Sequence, residues 1–266
     1  MNPTVKGKIL KGSVLSVFLM SLLSVTACVT TETGGIGDKA DDKKAVEYSV
    51  QLALSYIRGG NWAAAKRHLK TALEIDDSSA EIFETMALVF QNTGEGDRAE
   101  EYYQKAIKLD PASSRARNNY AAYLYSDQRY PAAIKQLELV VADTLYERRP
   151  AAYVNLGRSY IQLENLTKAE DAFHRAFLMD KRDVGLRYQL AEVYFQMGDY
   201  PKSQQYYNSY RNEVKQQPAA ALWLGIRLAD EFDNRDSLSS FSLALKNLYP
   251  TSKEYLLYRD AYENRK

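Results

Sequence analysis

The chain has 266 residues, 45% of them apolar, enough to bury the core of one large or two ordinary domains. Its 35 Lys+Arg nearly balance 34 Asp+Glu, which excludes the strong basic excess of a nucleic-acid binder. Cys28 is the only cysteine, so neither a disulfide framework nor a cysteine zinc site can be built.

The first residues read as an address. Lys6, Lys8 and Lys11 form a positive segment, and an uncharged apolar stretch follows from Val14 to Leu23. That stretch is about half the roughly 20 residues a membrane-spanning helix needs. Small residues then lead to a cysteine, Val25-Thr26-Ala27-Cys28. This order marks residues 1–27 as a secretory signal peptide, and its end resembles the bacterial lipobox. The resemblance implies cleavage before Cys28 and acylation of the Cys28 sulfur with diacylglycerol. Cleavage would leave 32 basic and 34 acidic side chains, a net −2. Residue 29 is Val and not the Asp that retains enteric-type lipoproteins in the inner membrane. The resemblance therefore points to the periplasmic side of a Gram-negative outer membrane. Residues 28–44 read as the lipidated cysteine and a flexible tether, with little apolar surface to bury. Gly34-Gly35-Ile36-Gly37 lacks the Lys-Ser/Thr of a phosphate-binding loop.

A repeat fills the rest, 45–266. From Ala80 to Ser113 the chain reads AEIFETMALVFQNTGEGDRAEEYYQKAIKLDPAS. Phe83, Met86, Ala87 and Phe90 recur at helical spacing, and Gly94-Glu95-Gly96-Asp97 breaks that helix. Ala99, Tyr103 and Ala106 mark one face of a second helix, which Asp110-Pro111 ends. This is the 34-residue helix-turn-helix pattern of the tetratricopeptide repeat (TPR). The template recurs over about 46–79, 80–113, 114–149, 150–183, 184–217 and 218–251, and 252–266 reads as a terminal capping helix. The fold class is therefore all-α, a right-handed superhelix of about six repeats. The third repeat has 36 residues, with Val140 where Ala is usual, which predicts a long second helix. Tyr56, Tyr103, Tyr153, Tyr160, Tyr194 and Tyr207 fall at packing positions, whereas Tyr123 and Tyr125 fall off the packing pattern, where they could meet a ligand.

Nothing in the sequence forms a catalytic constellation. His68 and His174 each lie beside a core position on a second helix, with no zinc-ligand spacing around them. The serines lack a nucleophile-elbow pattern, and Asp38, Asp41 and Asp42 lack calcium-loop spacing. Asn165-Leu166-Thr167 matches a glycosylation sequon but falls in an interhelix turn of a chain read as bacterial. The chain reads as a protein-binding adaptor, with no enzyme activity, cofactor, metal, nucleic acid or small-molecule substrate. The first helix of each repeat lines the concave face of a TPR array. Its non-packing positions include Val50, Leu54, Ile57, Glu84, Leu88, Asn118 and Tyr125. Of these, Val50, Leu54, Ile57 and Leu88 form an apolar strip suited to an extended peptide or an amphipathic helix.

The lipobox, the six repeats and the stretch Leu224-Gly225-Ile226-Arg227 together resemble the type IV pilus biogenesis and stability lipoproteins, the pilotins of the pilus secretin. The resemblance covers about residues 28–266. It implies binding to the secretin subunit, and promotion of its outer-membrane localisation and multimerisation. It implies no catalytic residue. The longer third repeat and the tail after Pro250 depart from the family layout. The alternative is a TPR lipoprotein scaffold for outer-membrane barrel or cell-wall assembly.

Overall fold

The computed structural model describes the backbone from Ile36 to Glu263 and side chains from Asp41 onward. The signal peptide 1–27, the lipidation site Cys28 and the first part of the tether lie outside the described residues. The described residues form α1 (Ile36–Arg58), α2 (Trp62–Ile75), α3 (Ala80–Asn92), α4 (Gly96–Leu109), α5 (Ser114–Ser126), α6 (Tyr130–Ala142) and α7 (Arg149–Gln162). They continue as α8 (Leu166–Met179), α9 (Val184–Gln196), α10 (Tyr200–Arg211), α11 (Ala219–Glu231), α12 (Arg235–Leu248) and α13 (Lys253–Tyr258), with a π-helical turn at Arg259–Glu263. The described residues of the array, 41–263, are all-α, as the repeat predicts, and successive helices pack as antiparallel pairs.

One turn recurs six times. Where the first helix of each repeat meets the second, a backbone N–H reaches five residues back: Asn61 to Tyr56, Glu95 to Phe90, Arg129 to Leu124, Asn165 to Tyr160, Asp199 to Tyr194 and Asn234 to Ala229. All six bonds measure 2.8–2.9 Å. They satisfy carbonyls that the helix end leaves open, and they require a left-handed residue just before the donor. Gly60, Gly94 and Gly198 fill that place with φ of 71–79°, whereas Gln128, Glu164 and Asp233 adopt it at 48–58°. The turns between repeats use a different device. The carboxylates of Asp76, Asp110, Asp143 and Asp180 each accept a backbone N–H two residues on.

Small residues set how closely the helices cross. Ala53, Ala65, Ala72, Ala87, Ala99 and Ala106 are completely buried, as are Ala121, Ala133, Ala169, Ala176 and Ala191. A Cβ on Gly157 would stand 2.8 Å from the Phe173 ring, inside any real contact distance. Tyrosines then stitch neighbouring repeats together. Tyr120 donates to Glu100 at 2.6 Å, Tyr160 to Glu138 at 2.9 Å and Tyr194 to Glu170 at 2.7 Å. Each bond runs from a first helix to the second helix of the preceding repeat. Burial, aided by the Glu138 carboxylate, pushes the Tyr160 phenol up to about 12, so it stays a donor at any ordinary pH. Tyr123 also proves structural: it donates to the Gly96 carbonyl at 3.0 Å and stacks on Tyr120.

Two expectations need correction. The second helix of the third repeat does not run long. α6 ends at Ala142, and the turn 143–148 has six residues where 76–79 and 110–113 have four. Val140 is buried in the helix, while Ser114 donates to Asp143 at 2.6 Å and Arg149 Nε donates to the Val141 carbonyl at 2.7 Å. Those bonds tie down the extra length outside the helix. The segment 28–44 is not all tether either, since α1 begins at Ile36.

Candidate partner-binding face

The first helices of successive repeats lie side by side: α3 touches α5, α5 touches α7 and α9 touches α11. Their free edges make one face, whose character changes along the array. Leu54, Leu88 and Ala122 hold the same repeat position in the first three repeats. Leu54, Ile57 and Leu88 are half-buried and rest on the core, so each keeps apolar surface open. Further along, the face becomes polar, with Arg158, Glu192 and Arg227.

Not every predicted residue is available. Val50 is 2% exposed and belongs to the core, because α1 turns it inward with Ala53. Glu84 is also buried. It accepts from Arg115 Nε at 2.9 Å and Asn119 Nδ2 at 2.7 Å, and Arg115 also reaches Glu81 at 3.0 Å. Burial pushes the Glu84 carboxyl up, against the opposing pull of Arg115 and Asn119. Glu84 is thus a cross-link between α3 and α5 and offers nothing to a partner. Asn118 is half-buried and accepts weakly from Asn155 at 3.4 Å. Tyr125 stays accessible. It lines a pocket of about 80 Å³ with Leu137, Asn155, Arg158 and Ser159.

Sequence reasoning missed Tyr48 and Leu52, which are 70% and 42% exposed on α1. Their counterparts one repeat on, Ile82 and Met86, are 0% and 2% exposed. Those positions normally bury against the second helix of the preceding repeat, and no helix precedes the first repeat among the described residues. The signal was present in the repeat itself, as apolar side chains at inter-repeat positions of a terminal helix. Helical geometry puts Tyr48 and Leu52 on one face of α1 and Leu54 and Ile57 on another.

At the other end the face is held shut. Arg227 donates to both Glu192 oxygens at 2.8–3.0 Å and lies 4.4 Å over the Phe195 ring and 5.7 Å over Trp223. The stretch around it now has physical reasons. Leu224 and Ile226 are fully buried in different clusters, Gly225 lets Tyr207 approach, and Arg227 clasps α9. Tyr262 reaches back to Asp230 at 2.8 Å.

Chemistry is sparse. Among the described residues no three His, Cys, Asp or Glu side chains gather as a metal site, and none of the helices is long and apolar enough to cross a membrane. His68 stacks on Tyr56 at 5.4 Å, as a packing side chain.

Tetratricopeptide repeat families match residues 47–79, 85–153 and 160–223. The type IV pilus assembly protein PilF of Pseudomonas aeruginosa is 36% identical over 241 residues, 90% of this chain and 94% of that protein. The chain belongs to the PilF family. The solved structure of Pseudomonas aeruginosa PilF superposes with a TM-score of 0.77 at 35% identity, covering 83% of this chain and 99% of PilF. PilW, a widely conserved type IV pilus biogenesis factor, gives 0.72 at 22% identity over 80% of this chain and 97% of its own, which shows the shared fold. This PilF relative is therefore a type IV pilus biogenesis TPR protein, and its fold is one for protein interaction.

Proposed function

We propose that this PilF relative is a lipid-anchored outer-membrane adaptor that binds the pilus secretin subunit and promotes its localisation and multimerisation. The observation that carries the reading is family membership joined to an uncovered apolar first helix. Tyr48 and Leu52 give a preformed apolar surface at the end of the array, of the kind that takes an amphipathic segment, and Leu54, Ile57 and Leu88 give a second one on the other face of the first helices. A rigid surface limits the ordering cost of binding. Acylation at Cys28 supplies the address, and two or more acyl chains hold stably. Seven residues, 29–35, separate that cysteine from α1. Fully extended they reach about 25 Å, which keeps the surface close to the membrane.

Gene deletion tests the reading. Heat- and detergent-resistant secretin multimers should disappear while monomers remain, with loss of surface pili and twitching motility. Cys28→Ser should leave subunit binding intact and mislocalise the multimer. Normal outer-membrane multimers in the deletion strain would sink the proposal. The barrel- or wall-assembly scaffold would then replace it.

A further inference from the structure

Between α10 and α12, floored by α11, lies a cleft of about 340 Å³. That size falls at the small end of the roughly 300–1,000 Å³ range of ligand sites. Gly225 forms part of its floor, and the buried Tyr207 hydroxyl fills the space that a side chain there would take. A Cβ there would overlap the Tyr207 hydroxyl and stand 3.1 Å from the Phe241 ring. Tyr207 is itself fixed by donating to Gln217 at 2.6 Å.

The walls have a one-sided chemistry. Arg211, Gln204, Asn208 and Ser237 all line the cleft, and no Asp or Glu does. Gln204 donates to the Asn208 side-chain oxygen at 3.0 Å, and the Asn208 amide hydrogens have no acceptor among the described residues. Arg211 contrasts with the arginines that cross-link neighbouring helices. Arg115, Arg129, Arg187 and Arg227 each meet a carboxylate. Among the described residues Arg211 has no ion pair or hydrogen bond, and instead lies 5.7 Å over the Phe241 ring. A guanidinium stacked on an aromatic face is already oriented, so it loses less freedom when it meets an acceptor.

We propose that this cleft binds a peptide carboxylate carried beside an apolar side chain. The carboxylate accepts from Arg211 and the Asn208 amide, and the apolar side chain rests on Phe241 and the glycine floor. Charge-assisted bonds supply the affinity, and the aromatic wall selects the neighbour. A chain terminus and an internal acidic residue present the same chemistry. The site is separate from the α1 surface and does not depend on which partner α1 takes.

The test is a nuclear magnetic resonance titration of the folded protein with three blocked dipeptides. They are acetyl-Ala-Phe with a free carboxylate, acetyl-Ala-Phe-amide, and acetyl-Glu-Phe-amide. Shifts centred on α10–α12 are expected with the first, the third, or both, and their ratio identifies the source of the carboxylate. The neutral amide should bind at least about tenfold more weakly. Arg211→Gln should weaken the charged ligands by about tenfold without unfolding the protein, since its side chain is exposed. Ser237→Leu, which fills the cleft from the other wall, should abolish the shifts. Equal binding of the neutral amide, an unaffected Arg211→Gln variant, or no shifts up to about 10 mM ligand would each overturn the proposal.

Discussion

The two ends of the array carry the same kind of apolar helix and treat it in opposite ways. At the C-terminal end, α13 folds back over α11, and Tyr255 closes Leu222 and Ile226 into a buried cluster. At the N-terminal end nothing described covers the outward side of α1, and Tyr48 stands almost free. A repeat sequence specifies an apolar face on every helix, while position in the array decides whether a neighbour covers it. The end that no described element caps is therefore where a partner gains most by binding.

Mutations can break this contrast. The largest effect belongs to the interior, between the two ends. Gly157→Leu must displace the Phe173 ring and should cost about 3 kcal/mol, at the top of the overpacking range. Gly96→Ala, whose Cβ would sit 3.3 Å from the Tyr123 hydroxyl, should cost well under half of that. Equal thermal midpoints for the two variants would show that the helix crossing is misplaced. The cap comes next. Tyr255→Ala should lower stability by about 2 kcal/mol in urea unfolding, and a loss below about 0.5 kcal/mol would mean that α13 seals nothing.

A smaller effect follows from Glu84. Its carboxyl titrates above the ordinary 4.5 in the folded chain, so the folded state holds the proton more tightly. That contribution is fully present below pH 4.5 and is lost as pH rises through the folded value. Relative to Glu84→Gln, the wild type should therefore lose stability as pH rises above 4.5, and a gain would reverse the sign assigned to burial. The smallest stability effect sharpens the contrast most. Tyr48→Ala with Leu52→Ala should change unfolding by no more than about 0.5 kcal/mol, yet weaken secretin co-purification. Destabilisation as large as that of Tyr255→Ala would show that the N-terminal face is covered by the chain itself.

The period of alanines and aromatics made the helix pairs legible, because close crossings tolerate few residue types. A turn was legible for a similar reason at Gly94, where a left-handed residue is required. Gln128, Glu164 and Asp233 take the same conformation without announcing it. The face was read less well. Val50 and Glu84 sit at positions that a helical wheel marks as free, but Val50 falls inward and Glu84 is claimed by α5. Such cross-links depend on which side chains meet 31 to 35 residues apart, and one repeat viewed alone does not contain them. The extra residues near Val140 could lengthen either a helix or a turn, and bonds from Ser114 and Arg149 favour the turn.

The recurring turn bond has a kinetic consequence. Each one closes only five residues, and the widest side-chain hydrogen bond among the described residues, Asn155 to Asn118, spans 37. Such low contact order makes folding fast, with nucleation possible in any helix pair and growth from pair to pair. It also means that opening starts where a helix has one neighbour instead of two. Amide exchange should be quickest in α1, and a bound partner, by standing in for the absent neighbour, should slow it there first.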